Sequence, residues 1–163
     1  MNKVYISLGS NRGDRQDNIS KAIMRLNEKA GTVIQESHLY ETQPWKMQDH
    51  TNFINQVILI ETKIDADTLM KQLLEIETRM GRLRTSAKYE PRTIDIDILF
   101  FNHDILSSKE VTVPHPFIQE RRFILEPLAE IAPDYIHPIT KTKIYELLTV
   151  CKDNSKVVKL VSK

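Results

Sequence analysis

The chain has 163 residues, 40% apolar and 28% charged, which is the make-up of one globular domain with enough apolar side chains for a sizeable core; residues 1–163 are expected to form a single domain. A formal net charge of +1 excludes a general binder of nucleic acid or membrane surface, which would need a basic excess spread over a face. The lone Cys151 can make no internal disulfide, the N-terminus enters the strand-like Val4-Tyr5-Ile6-Ser7-Leu8 with no charged-then-apolar leader, and no apolar run approaches the roughly 18 to 20 residues of a membrane span, so a cytoplasmic protein is expected.

The first strand ends at Gly9-Ser10-Asn11-Arg12-Gly13-Asp14, where glycines supply tight turns and Asp14 can begin a helix. Ile19, Ala22, Ile23, Leu26 and Ala30 then recur at helical spacing, and Gly31 stands where a C-terminal cap belongs, which predicts a helix over 15–30. Two strands follow, over about 32–41 and 53–62, separated by an irregular segment that Pro44 keeps out of regular pairing. A second helix begins near Asp65 or Asp67, runs through Leu69, Leu73, Ile76 and Met80, and stops at Gly81. A connector over 82–92 leads to a strand carrying Asp95 and Asp97, a turn at Asn102-His103-Asp104, a short strand near Val111-Thr112-Val113 and the Pro114-His115-Pro116 break. A third helix is predicted over 117–131, in two pieces because of Pro127, and a fourth near 144–148. Residues 157–161 read either as a last strand or as a tail. This order is that of a βαββαβ, ferredoxin-like α+β fold with a mainly antiparallel sheet and helices packed on it.

The stretch Pro91-Arg92-Thr93-Ile94-Asp95-Ile96-Asp97-Ile98 is locally inconsistent for a plain strand. Successive side chains point to opposite faces, so the isoleucines can enter a core while Asp95 and Asp97 share the other face with Cα atoms about 6.6 to 7 Å apart. Such a pair can hold one or two hard cations, since magnesium takes few protein carboxylates together with substrate phosphates. The alternative is a half-buried edge strand with a solvated polar face, against which stand the scarcity of Asp in strands and the repulsion of like charges. Upstream, Arg79, Arg82, Arg84, Lys88 and Arg92 are set against only Glu90. Arginine forks suit phosphate oxygens, so the combination fits polyphosphate transfer; plain surface ion pairing accounts for the same composition. His115, fixed between two prolines and followed by Arg121 and Arg122, is either a phosphate contact or a structural group. Phe53 and Phe123 read as core or as ligand platform. Asn55, an amide among Ile54, Val57 and Ile58, needs partners from the backbone or from a heteroaromatic ligand.

Several of these pieces resemble, in order and spacing, the 6-hydroxymethyl-7,8-dihydropterin pyrophosphokinase family, over nearly the whole chain. They are Leu8-Gly9-Ser10-Asn11, Tyr40-Glu41-Thr42 with Pro44, Phe53-Ile54-Asn55, Gly81-Arg82-Leu83-Arg84, the stretch from Pro91 to Ile98, and Val113-Pro114-His115-Pro116 with Arg121 and Phe123. The resemblance implies transfer of the β,γ-pyrophosphoryl unit of ATP to the pterin hydroxymethyl oxygen, releasing AMP, as a step of folate biosynthesis, with two magnesium ions on Asp95 and Asp97. It implies that Arg82 and Arg92 act catalytically on the phosphates, and that Arg84, Tyr89, Thr112, His115 and Arg121 bind ATP, Arg84 and Tyr89 from a mobile lid. Thr42, Trp45, Phe53, Asn55 and Phe123 are implied to bind the pterin. The implied partners are these two substrates, with neither nucleic acid nor membrane, and a monomer is expected. No general base is identified.

Three positions depart from the family pattern: Tyr89-Glu90 stands where Trp-Gly is usual, Lys46 where a glycine is common, and Pro116 where an aromatic is often found. None touches the aspartate pair. Two other readings compete. A catalytically silent, small-molecule-binding ferredoxin-like module would not need Asp95, Asp97, Arg82 and Arg92 together, and a magnesium-dependent phosphoesterase would not explain Phe53, Asn55 and Phe123.

Overall fold

Alternation of buried and half-exposed residues along Asn2–Ser10 suits β1 to the interior of the sheet, where it lies between β5 and β4. The computed structural model describes residues 1–42, 52–81 and 93–160. After β1 come α1 (Arg15–Lys29), β2 (Thr32–Glu36), β3 (Tyr40–Thr42), β4 (Phe53–Thr62), α2 (Ala66–Arg79), β5 (Asp95–Phe101), β6 (Leu106–Ser107) and β7 (Thr112–Val113). A short 3-10 turn (Ile118–Glu120), α3 (Arg122–Ile131), α4 (Ile144–Val150) and β8 (Val157–Lys159) complete the order. The main sheet runs β5-β1-β4-β3-β8, with β2 paired to the far half of β4, and these pairings are antiparallel. It is the expected ferredoxin-like α+β arrangement.

Each face of the sheet has its own core. Val4, Ile6, Leu8, Ile58, Ile60, Ile94, Ile96 and Ile98 pack with Ile19, Ala22 and Leu26 of α1 and Leu69, Leu73 and Ile76 of α2. On the other face Val57, Leu99 and Phe100 meet Ile124, Leu125 and Leu128 of α3 and Ile144 and Leu147 of α4. Asp14 caps α1 by accepting from Asp17 N at 3.1 Å, and Asp65 caps α2 by accepting from Thr68 N at 2.8 Å. No helix among the described residues is long and apolar enough to cross a membrane.

Several expectations need correction. The single strand over about 32–41 is two strands, β2 and β3, interrupted where Ser37 turns its hydroxyl to Val57 N (3.0 Å) and its amide to Val57 O (2.9 Å). Gly31 does not supply a left-handed cap: α1 closes at right-handed Ala30, and Gly31 is required because a Cβ there would stand 2.4 Å from the Glu61 carbonyl oxygen. The third helix breaks at extended Arg121, upstream of the proline; Pro127 lies buried inside α3. The short strand expected near Val111–Val113 is β7, and its hairpin partner β6 is what the sequence reading lacks; Val157–Lys159 forms a strand, β8, paired with β3.

Candidate active site

Strand register builds one surface from four strands. On β1, Gly9 lies opposite Asp95 of β5 on one side and Asn55 of β4 on the other; Ser7 lies opposite Asp97, Asn55 opposite Tyr40, and Phe53 opposite Thr42. Directly opposed residues of an antiparallel pair share a face. Asp95, Asp97, Gly9, Asn55, Phe53 and Thr42 therefore face the same way, and the neighbouring Ile94, Ile96 and Ile98 are buried in the core beneath. Thr42 Oγ1 donates to Asn55 Oδ1 at 2.7 Å, both residues being buried, so the amide asked for by the sequence finds a side-chain partner. Its Nδ2 end lies over Gly9, where a Cβ would stand only 2.7 Å away.

The outer edge of β5 is occupied by two groups. Ile96 N, midway between the aspartates, donates to Glu77 Oε2 of α2 at 2.7 Å, and His115 N donates to Leu99 O at 3.0 Å. His115 Nδ1 accepts from Phe117 N at 3.2 Å, which leaves the proton of the neutral ring on Nε2. Burial, and then the charge of Arg121, push the His115 pKa down to about 4, with Asp95 pulling weakly the other way. The imidazole is therefore a neutral hydrogen-bond donor at neutral pH. The Arg121 guanidinium lies 4.9 Å from the centre of the Phe117 ring and 5.8 Å from that of Phe123. Thr112 is exposed on β7, opposite Ser107.

The structure thus assembles Asp95, Asp97, His115 and Arg121 at one side of Gly9, and Thr42, Phe53 and Asn55 at the other. Arg82, Arg84, Tyr89, Arg92 and Trp45, and the departures Lys46 and Glu90, lie outside the described residues. Sequence reasoning missed Glu77, a carboxylate only 1% exposed; the signal was its place at i+4 from Leu73 and i+8 from Leu69, on the apolar stripe of α2. It also missed the clearance role of Gly9. As a cation site, Asp95 and Asp97 offer hard carboxylate oxygens, both half-buried. Among the described residues no group of three or more His, Cys, Asp and Glu side chains could hold a metal. A pair of carboxylates suits magnesium, which completes its shell with waters and phosphate oxygens.

Acidic residues on one strand, a neutral His and an Arg beside them, and a buried amide across a glycine are groups chemically suited to handling phosphate, carried on a ferredoxin-like sheet. The family model of 7,8-dihydro-6-hydroxymethylpterin-pyrophosphokinase (HPPK) matches residues 5–133. The chain is similar to the 2-amino-4-hydroxy-6-hydroxymethyldihydropteridine pyrophosphokinase of Aquifex aeolicus, with 38% identity over 146 residues and 90% of each chain covered. It is 40% identical over 149 residues to the folic acid synthesis protein fol1 of Schizosaccharomyces pombe, covering 90% of this chain but 20% of the relative, so it spans about a fifth of that protein's length. A crystal structure of wild-type Plasmodium falciparum HPPK-DHPS with SDX-DHP shares the fold at a TM-score of 0.71 and 20% identity, over 91% of this chain and 43% of that one. The chain belongs to the 7,8-dihydro-6-hydroxymethylpterin-pyrophosphokinase family.

Proposed function

We propose that residues 1–163 act as one pyrophosphokinase domain, transferring the β,γ-pyrophosphoryl unit of ATP to 6-hydroxymethyl-7,8-dihydropterin. The observation that supports this reading is the shared face on which Asp95 of β5 and Asn55 of β4 flank Gly9 of β1, so that carboxylates suited to phosphate and metal and an amide suited to a heteroaromatic ring stand on the strands either side of β1. Asp95 and Asp97 would hold two magnesium ions, which would supply charge neutralisation to the phosphate oxygens. His115, through Nε2–H, and Arg121 donate to phosphate oxygens, and Thr112 adds a contact from β7. Arg82 and Arg92 meet charge that develops as the bond between the β-phosphorus and the AMP oxygen breaks. Arg84 and Tyr89 cover the nucleotide.

On the other side of Gly9, Asn55, oriented by Thr42, reads the pterin edge, while Phe53, Phe123 and Trp45 supply apolar surface to the ring. The hydroxymethyl oxygen bonds to the β-phosphorus, AMP leaves with the bridging oxygen, and the hydroxyl proton is released to solvent. Incubation with ATP, magnesium and the pterin tests this: AMP and the pterin diphosphate are expected in equal amounts. Formation of ADP, or no consumption of ATP, would refute it.

A further inference from the structure

Arg15 has no part in the substrate contacts assigned above. It is the first residue of α1, and the turn before it is pinned to the end of β1: Asn18 Nδ2 donates to Ser10 Oγ at 3.1 Å and to Arg12 O at 2.8 Å. From this anchored origin one guanidinium nitrogen, Nη1, donates both to Glu41 Oε2 and to the Asn52 carbonyl oxygen, each at 2.7 Å. Glu41 directly precedes Thr42, and Asn52 directly precedes Phe53. Thr42 and Phe53 are themselves paired across β3 and β4. Glu41, one residue from Thr42 along the strand, turns its side chain to the opposite face, so the link stays clear of the substrate surface.

An exposed ion pair contributes little. Here, however, both donor hydrogens of one nitrogen are used, the side chains are only 25% and 35% exposed, and one acceptor is a main-chain carbonyl. The geometry is that of a tie between β3 and the start of β4. Resting on the function proposed above, we infer that Arg15 is a positioning residue for the pterin half of the site: it holds Glu41 and Asn52 at a set separation, and so keeps Thr42, Phe53 and Asn55 aligned to receive the ring.

The test is steady-state kinetics with each substrate varied in turn, together with thermal melting of the same samples. Arg15→Ala is expected to raise KM for the pterin about tenfold, equivalent to about 1.4 kcal/mol. KM for ATP should stay within about twofold, because the aspartate side of the sheet is held by Glu77 and His115 instead. Arg15→Lys should recover part of the loss, since an ammonium can reach both acceptors without the planar fork. Should Arg15→Ala fail to fold, Arg15→Lys and Glu41→Gln carry the test, with smaller rises confined to the pterin KM. A fall in melting temperature with both KM values unchanged, an equal rise in both, or a loss confined to kcat would overturn the inference. A wild-type protein that forms AMP while the variants match it sinks this inference alone. A wild type that forms none sinks the parent reading, and this one with it.

Discussion

Replacing Gly9 by alanine probes the joint between the two halves of the site. The added Cβ would lie 2.7 Å from Asn55 Nδ2, 3.5 Å from Phe53 Cδ1 and 3.8 Å from Asn55 Cγ. Gly9 is not among the residues with positive φ, so the perturbation is steric and carries no backbone strain. The amide must retreat by roughly 0.8 Å to reach an ordinary non-bonded separation near 3.5 Å. It cannot swing freely, because Oδ1 is held by Thr42 at 2.7 Å and Asn55 is 8% exposed. Overpacking of this kind costs about 1–3 kcal/mol, with about 1 kcal/mol more if the Thr42 bond is lost. For a domain of this size about 2 kcal/mol corresponds to a fall in Tm of about 4 to 8 °C. Because the displaced amide is the one assigned to the pterin edge, KM for the pterin should rise about tenfold while ATP is little affected. AMP formation and thermal melting read the two effects. A folded variant with an unchanged pterin KM would refute the claim that Gly9 sets the position of Asn55.

Three further outcomes are expected. Asp97→Ala should abolish turnover while the melting temperature changes little, since the carboxylate lies on the half-exposed face and not in the core; retained turnover would remove its metal role. Glu77→Leu should destabilise the fold by about 1–3 kcal/mol in urea titration, because Ile96 N loses its buried acceptor, and should weaken magnesium binding by loosening the strand between the aspartates; unchanged magnesium affinity would show that the edge contact does not position them. Glu130 gives a pH dependence. Burial pushes its carboxyl up, but hydrogen bonds from His38 and Tyr40 outweigh this and hold it below its ordinary value of 4.5. A depressed carboxyl stabilises the fold above its ordinary pKa and loses that contribution as pH falls through the folded value, so Glu130→Gln should flatten the Tm profile below about pH 4.5. Identical acid limbs in the two proteins would contradict the assignment.

Elements with a clean period were legible from sequence. The α1 and α2 stripes and the alternation of Ile94, Ile96 and Ile98 with two aspartates each identify a buried face, because only one register buries the apolar set. A helix start at Asp14 was legible for the same local reason, whereas the second start lay between Asp65 and Asp67, and only the bond from Thr68 N picks out Asp65 as the cap. What escaped depends on partners far along the chain. The division between β2 and β3 follows from Ser37 bonding Val57, twenty residues away, and the service of Gly31 follows from the approach of Glu61. The site divides in the same way. The aspartate pair announced itself by conflict with its own strand, and Asn55 by its apolar neighbours, whereas the roles of Glu77 and Arg15 exist only once α2 meets β5 and α1 meets the ends of β3 and β4.

The position of His115 has a less obvious origin, in a bulge of β5. Pairing with β1 runs Asp95 to Gly9, Asp97 to Ser7 and Ile98 to Ile6, then skips to Phe100 opposite Tyr5, leaving Leu99 as the extra residue. With Leu99 paired in regular alternation and no bulge, Phe100 would fall on the isoleucine face and Phe101 beside the aspartates. With the bulge, Leu99 and Phe100 both enter the core beneath α3 and α4, while Phe101 returns to the core beneath α1 and α2. The apolar run Leu99-Phe100-Phe101 conceals this change of phase in the sequence. The bulge also leaves the Leu99 carbonyl out of the ladder with β1, and that oxygen accepts from His115 N at 3.0 Å. One inserted residue thus ends the polar face two positions beyond Asp97 and supplies the main-chain acceptor that brings the neutral imidazole close enough to feel the charge of Asp95.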